Sequence, residues 1–482
     1  MIAQGPLTGI AATAAADPER IALVDAAGDA LSHGELATRV SAAAAAIAAV
    51  HGRGRCIVTR PAATLDALVT VLAIMASGNT AVPVADSVRG EQLDYILAKC
   101  GDAPIVDEPP PGADAAPASD GLALVEPERA MVLFTSGTTG QPKGVVVSAA
   151  NLAHSCAAVA AYLDYRAHDS AAVVLPLYYS YSLISQVFAE LAVGGSAHLF
   201  GTLRNPIKVQ KAINERGIRV FSGVPSTFTA LIMMHRLQAL EMPGIRVVCS
   251  AGAPFDLAQY DDLKAIFPNA RIFNNYGATE ATPRISFVAD DDPLFFTGSC
   301  GRPIEGLEVV AVDAASRVPL ADGEHGIIAV RGANVTAGYL DDAERTAAAF
   351  LPGGWFVTND LGWVADGAIH VQGRADDIFD VGGEKVAPGE IEQVLMRLPE
   401  VEGCAVVGRA DPARGHVPVA FLKLREATTK AELNRQLGLS LAPSKIPVRY
   451  YRVESFPHTA NGKLRRRDLL SDDTEFMRDE IA

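Results

Sequence analysis

A run of hydroxyl and glycine residues, Thr135-Ser136-Gly137-Thr138-Thr139-Gly140-Gln141-Pro142-Lys143-Gly144, follows an apolar stretch that ends at Phe134. Glycines let a backbone curl until its N–H groups converge on an anion, and Ser and Thr hydroxyls add further donors. With Lys143 as its cation, the segment suits the oxygens of a triphosphate. It is not a Walker A loop, in which Lys and Ser/Thr directly follow the second glycine; here Gln141-Pro142 intervene and Gly144 follows Lys143.

Further along, Asn275-Tyr276-Gly277-Ala278-Thr279-Glu280 closes another apolar strand pattern. It sets an aromatic face, a flexible glycine, a hydroxyl and a carboxylate side by side, which purine stacking, a phosphate contact and a hard cation would each require. Ser250-Ala251-Gly252-Ala253-Pro254 places small residues after a strand, so a flat ring could approach the backbone there. Asp360, in Thr358-Asn359-Asp360-Leu361-Gly362, has two oxygens that can accept from vicinal hydroxyls. Asn461-Gly462 is turn chemistry that puts Lys463 on an exposed tip. Its ammonium could bridge an attacking carboxylate and a phosphate, two anions that otherwise repel.

The elements that position these groups read as α/β. Short apolar runs at 130–135, 171–175, 196–200, 220–222, 247–249 and 272–275 each precede a helical pattern, which argues for a largely parallel, covered sheet. Residues 31–50 carry helical periodicity, and 109–121 (PPPGADAAPASDG in its core) reads as a linker. From about residue 298 the grain turns to short strands broken by glycine. It changes again near Gly373-Arg374, after which helices at 390–398 and 430–437 and strands at 403–408 and 417–424 are expected. The expected organisation is therefore a body over 1–374, with a β-rich subdomain at about 298–374, and a small α+β lid over 375–482.

At 482 residues the chain exceeds one ordinary core. Its 49% hydrophobic and 20% charged content is that of a soluble globular protein, and a formal charge of −15 excludes a general nucleic-acid binder. Six scattered cysteines form no zinc-ligand spacing. Neither a secretory signal nor a membrane span is expected, so the reading is cytoplasmic.

Taken in order, these segments resemble the adenylate-forming superfamily of acyl- and aryl-CoA synthetases, adenylation domains and luciferase-like ligases, over roughly residues 130–466. The resemblance implies an enzyme that uses ATP and Mg²⁺ to convert a carboxylic acid to its acyl-AMP and then passes the acyl group to CoA or a phosphopantetheine carrier. It implies that Thr135, Ser136, Gly137, Thr138, Thr139 and Lys143 hold phosphate, and that Gly252, Ala253, Pro254, Asn275, Tyr276 and Gly277 shape the adenine pocket. Glu280 would hold Mg²⁺, with Thr279 beside it in the catalytic group. Asp360 and Arg374 would bind ribose, with Asn359 standing where the family has glycine. Asp376 becomes the hinge, Gly382 and Gly383 part of a thiol tunnel with Asp380 where many members have lysine, and Lys463 the catalytic lysine of the lid.

In similar enzymes the acyl pocket is lined by segments corresponding to Tyr178, Tyr179 and Tyr181 and to Ser222, Gly223 and Val224. No acidic residue stands there to hold an α-amine, which argues against an amino acid substrate. The tyrosines suit an aromatic or medium-sized aliphatic acid, or are an ordinary aromatic core patch. A thiol acceptor is expected. Amide formation with an amine, diazotase-type chemistry, a luciferase-like oxygenase and a non-catalytic nucleotide binder are the alternatives.

Overall fold

The structure, a computed structural model, describes residues 4–110, 124–135, 141–457, 464–470 and 479–482. Within it the chain divides into two compact units, Met1–Val309 with Val330–Phe356, and Val310–Ala329 with Val357–Ala482.

The first unit is built on a nine-stranded sheet in the order Arg302–Pro303, Ser286–Ala289, Arg271–Tyr276, Val247–Ala251, Val220–Gly223, Ser170–Val173, Ser196–Leu199, Ile21–Asp25, Ala30–Ser32. From Arg271–Tyr276 to Ile21–Asp25 every neighbouring pair is parallel. The strands Ser170–Val173, Ser196–Leu199, Val220–Gly223 and Val247–Ala251 are buried at every position, as a sheet covered on both faces demands. Only the edges are antiparallel, Ser286–Ala289 with Arg302–Pro303 on one side and Ala30–Ser32 on the other.

A second sheet has the order Cys56–Thr59, Thr80–Pro83, Arg129–Thr135, Lys143–Ser148. Its first three strands run parallel, and the last folds back as a hairpin with Thr135 opposite Lys143. The helices begin where side chains satisfy their first N–H groups. Ser32 caps His33–His51, accepting from Glu35 N at 3.2 Å while Glu35 Oε2 accepts from Ser32 N at 2.8 Å. Ser148 and Asn151 repeat the device for Ala149–Tyr162. Helix Leu65–Ala76 is buried from Ala67 to Ala76, which its unbroken apolar sequence allows.

In the second unit a six-stranded sheet runs Glu384–Val386, Phe379–Val381, Gly415–Leu424, Arg449–Arg452, Asp479–Glu480, with Val401–Asp411 also paired to Gly415–Leu424. Helices Pro388–Leu395 and Lys430–Leu437 supply Ile391, Leu395, Leu433 and Leu437 to a core shared with Phe379, Val406, Leu422 and Tyr450. This unit also holds the antiparallel pairing of residues 360–365 with 368–374.

The α/β body of parallel layers, the glycine-broken strands and the small α+β unit are the fold class expected from the sequence. Among the described residues no helix is long and apolar enough to cross a membrane.

Candidate active site

Adjacent parallel strands gather the candidate residues at one sheet edge. Ser170–Val173, Val220–Gly223, Val247–Ala251 and Arg271–Tyr276 are neighbours pointing the same way, so the segments leaving their carboxyl ends converge. Those segments carry Tyr178, Tyr179 and Tyr181, then Val224, Gly252, and Gly277 to Glu280. A crevice at such an edge is where open α/β sheets bind ligands.

Gly252 has a φ of 93°, and a Cβ there would lie 3.3 Å from the Tyr179 hydroxyl and 3.5 Å from Val224 Cγ1. The strand end expected to face adenine is thus placed against residues expected to line the acyl pocket. Gly252, Ala253 and Pro254 are exposed, whereas Ser222, Val224 and Tyr181 are buried and Tyr178 and Tyr179 half-buried. Gly223 packs under Thr227, whose Oγ1 accepts from Val224 N at 3.3 Å. Tyr179 and Tyr181 meet edge to face at 6.2 Å, and the Tyr181 hydroxyl donates to Cys249 O at 3.1 Å. Burial raises the pKa of Tyr178, Tyr179 and Tyr181, so the aromatic wall stays uncharged.

The segment after Arg271–Tyr276 is tightly folded. Asn275 is buried, accepts from the Tyr162 hydroxyl at 2.8 Å and donates to Ser250 O at 3.3 Å, tying neighbouring strand ends together. A Cβ at Gly277 would sit 1.7 Å from Pro283 O, so no other residue fits without moving the backbone. Tyr276 and Thr279 are half-buried, and Thr279 opens the short turn Thr279–Ala281 that carries Glu280.

Glu280 is 6% exposed, and its Oε1 accepts from Lys143 Nζ at 2.8 Å and from the Tyr339 hydroxyl at 2.8 Å. Lys143 Nζ also donates to the Tyr339 oxygen at 2.8 Å and lies 4.5 Å from that ring's centroid. Desolvation alone would push the Glu280 carboxyl up, but the Lys143 charge and the hydrogen bonds from Lys143 and Tyr339 outweigh it and hold it below its ordinary value. The carboxylate is ionised although buried.

Two observations bear on what this corner would hold. Thr135 Oγ1 is buried with no hydrogen-bond partner among the described residues. Lys143 and Tyr339 both bind the Glu280 carboxylate through Oε1. Among the described residues no group of three or more His, Cys, Asp or Glu could bind a metal alone. A lone ionised carboxylate fits Mg²⁺, which keeps water and substrate phosphates as its other ligands.

Tyr339 carries no functional signal in the sequence. It is placed by backbone pairing with the returning strand of the hairpin, Val146 N donating to Gly338 O at 3.1 Å and Leu340 N to Gly144 O at 2.8 Å. An aromatic residue between glycine and leucine is too common to be read as functional. Only the fold brings it to Lys143. Ser136, Gly137, Thr138, Thr139 and Lys463 lie outside the described residues.

In the second unit, Asp360 and Arg374 are partners across an antiparallel pair, with Nη1 of Arg374 donating to Asp360 Oδ1 at 3.1 Å and to Thr358 O at 3.1 Å. Arg374 Nε also meets Asp376 Oδ1 at 3.2 Å. Asn359 takes φ 64°, a left-handed conformation that glycine tolerates best and asparagine next, so the substitution keeps Asp360 in register. Gly382 and Gly383 have φ of 63° and 93°, and Gly383 N donates to Asp380 Oδ1 at 2.7 Å. Asp380 thus closes the glycine turn between Phe379–Val381 and Glu384–Val386, which a lysine there could not do.

Fold and site together define a nucleotide-using enzyme of the adenylate-forming class. The chain belongs to the AMP-binding enzyme family, which it matches over residues 10–340, with the family's C-terminal domain matched over 390–463. It is 34% identical over 347 residues to a 2-succinylbenzoate–CoA ligase of Bacillus pumilus, covering 71% of this chain and 69% of that protein. A 4-coumarate–CoA ligase of Humulus lupulus is 29% identical over 392 residues, with 76% and 70% covered. Among solved structures, the O-succinylbenzoate–CoA synthetase of Bacillus subtilis in complex with ATP and magnesium superposes with a TM-score of 0.84 at 25% identity, covering 97% of this chain and 100% of that one.

Proposed function

We propose that this chain is an AMP-forming acid–thiol ligase that joins a small carboxylic acid to CoA at the expense of ATP. The observation that carries the reading is the buried, ionised Glu280 fixed by Lys143 and Tyr339 at the base of the Thr135–Lys143 hairpin, in a chain of the AMP-binding enzyme family. In the first half-reaction a carboxylate oxygen bonds to the α-phosphorus of ATP, and the bond to pyrophosphate breaks. In the second a thiol sulfur bonds to the acyl carbon, the thiol loses its proton and AMP departs. Mg²⁺, held by Glu280 together with the phosphates, would neutralise charge on the leaving group. A cytoplasmic setting supplies both co-substrates.

The roles follow from the chemistry of each group. Thr135, Ser136, Gly137, Thr138, Thr139 and Lys143 receive the phosphates, and Tyr276 stacks on the purine beside Gly252, Ala253 and Pro254. Asp360 and Arg374 hold the ribose hydroxyls, the aspartate accepting two donors while the arginine fixes its position. Thr279 and Lys463 serve the reacting carboxylate and α-phosphate, Asp376 is the pivot between the half-reactions, and the Gly382-Gly383 turn admits the thiol. The neutral rings of Tyr179 and Tyr181 favour an aromatic or medium-sized aliphatic acid.

Pyrophosphate release and product mass, measured over an acid panel with and without CoA or amines, test the proposal. Lys463→Ala should slow acyl-AMP formation by about 100-fold or more, the scale of a lost transition-state contact. Acyl-AMP that is consumed only when an amine is added would overturn the thiol acceptor, and unchanged pyrophosphate exchange in Lys463→Ala would remove that residue from the chemistry.

A further inference from the structure

We infer, resting on the ligase reading above, that Asn334 is a positioning residue for the adenylation half-reaction, its side-chain amide fixing the turn that carries Glu280 against Lys143.

Glu280 sits on a turn of three residues, Thr279–Ala281, and the chain leaves it through Thr282 at φ 48°, a left-handed conformation that a β-branched residue resists. The turn's own bonds are Ala281 N to Ala278 O at 2.9 Å and Thr282 N to Thr279 O at 3.1 Å. Its other carbonyls are met from outside. Thr336 N donates to Glu280 O at 2.8 Å, and the Ser155 hydroxyl donates to Thr282 O. Asn334, which is fully buried, donates from Nδ2 to Ala281 O at 2.7 Å and to Arg284 O at 2.6 Å. Carbonyls only accept, so the amide nitrogen must face both of them. One planar NH₂ group thereby sets the spacing of the carbonyls on either side of the strained bend at Thr282.

Asn334 is itself clamped. Asn151 Nδ2 donates to Ala333 O at 2.8 Å and to Val335 O at 3.0 Å, the carbonyls that flank it. Asn151 Oδ1 accepts from Ser148 N at 3.0 Å, so the same residue belongs to the cap of the helix that follows strand Lys143–Ser148. The strand that begins at Lys143 therefore leads into Asn151, Asn151 grips residues 333–335, and Asn334 grips the Glu280 turn. Further on, the segment returns to that strand through Gly338 O and Leu340 N and brings Tyr339 to Lys143 and Glu280. Residues 333–340 are a splint between the two partners of the 2.8 Å Lys143–Glu280 ion pair.

The splint matters most when MgATP binds. Phosphate oxygens would compete for Lys143 and Mg²⁺ for Glu280, so the ion pair that now restrains the carboxylate would be given up. The asparagine clamp would persist, because it engages main-chain carbonyls and does not touch the carboxylate.

The test is acid-dependent ATP–pyrophosphate exchange over a Mg²⁺ titration, with an acid that supports exchange in the native protein. In Asn334→Ala, kcat/KM for ATP should fall by about thirtyfold, the effect of orphaning buried carbonyls. The Mg²⁺ concentration for half-maximal exchange should rise by about tenfold, the scale seen when the support of a metal ligand is removed. Asn334→Asp, equal in shape but turning lone pairs on the two carbonyls, should lose at least as much. Thioester formation from supplied acyl-AMP and CoA should stay within about threefold of native, since no phosphate chain is present in that step. In a Glu280→Gln background, Asn334→Ala should cost less than about threefold more, because the two changes remove one function. An unmoved Mg²⁺ requirement, equal loss in both half-reactions, or full additivity with Glu280→Gln would overturn the inference. If Asn334→Ala does not fold, Asn151→Ala, which loosens the clamp one residue away, should shift the Mg²⁺ requirement in the same direction, and a native requirement there would overturn it too. Absence of acid-dependent exchange in the native protein would instead refute the ligase reading.

Discussion

Replacing Tyr339 by phenylalanine isolates the hydroxyl that joins Lys143 of the hairpin to the Glu280 carboxylate. The hydroxyl donates to Glu280 Oε1 and accepts from Lys143 Nζ, each at 2.8 Å, while the ring stays under the Lys143 ammonium at 4.5 Å. Hydrogen bonds to charged groups contribute about 1.5–3 kcal/mol each. The direct Lys143–Glu280 contact at 2.8 Å survives the change, so the net loss should be near that of one such bond. About 2 kcal/mol corresponds to roughly a 30-fold fall in kcat/KM for ATP in pyrophosphate release. The same hydrogen bond helps hold the Glu280 carboxyl below its ordinary value of 4.5, so its pKa should climb and the acid limb of the activity profile should move to higher pH. A depressed carboxyl stabilises the fold above its unfolded pKa and loses that contribution as pH falls through the folded value. The stability deficit of Tyr339→Phe should therefore be full at neutral pH and shrink below about 4.5. A kcat/KM within twofold of the native value together with an unmoved acid limb would refute the reasoning.

Asn359→Gly should leave stability nearly unchanged, whereas Asn359→Val should cost about 1–2 kcal/mol in denaturant unfolding because a β-branched residue resists the left-handed backbone at φ 64°. Equal behaviour of the two would mean the conformation does not constrain the site. Burial holds His198 neutral, with its pKa lowered to about 4 from the usual 6.5. The unfolded chain then binds the extra proton between those values, so native stability should fall by up to about 3 kcal/mol as pH drops from 6.5 toward 4. His198→Asn should flatten that slope, measured as the pH dependence of the unfolding midpoint, and an unchanged slope would assign acid sensitivity elsewhere.

Much of the fold was legible because covered parallel strands write themselves as short apolar runs. Val247–Ala251 and Arg271–Tyr276 were visible within two residues of their ends, and Lys430–Leu437 over its full length. The hairpin return Lys143–Ser148 was not, because its short apolar run Val145–Val147 follows the glycine- and hydroxyl-rich loop with no turn signal between them. For the site, motif order singles out Glu280, Asp360 and Arg374, and the fold pairs the first with Lys143 and the other two with each other. Tyr339 escaped because its significance lies in three-dimensional juxtaposition. A tyrosine becomes notable when backbone pairing sets it against Lys143. Asp380 and Asn359, which looked like departures from the family pattern, are explained by backbone geometry at Gly382, Gly383 and residue 359.

The most direct test of the account is ATP–pyrophosphate exchange by the purified native protein with Mg²⁺ and an acid panel in the absence of CoA, followed by addition of CoA. Exchange that depends on the acid, with AMP and an acyl-thioester accumulating once CoA is present, is the expected result. Formation of ADP and phosphate, or exchange that ignores the acid supplied, would contradict the assignment of an acyl-adenylate chemistry to this site.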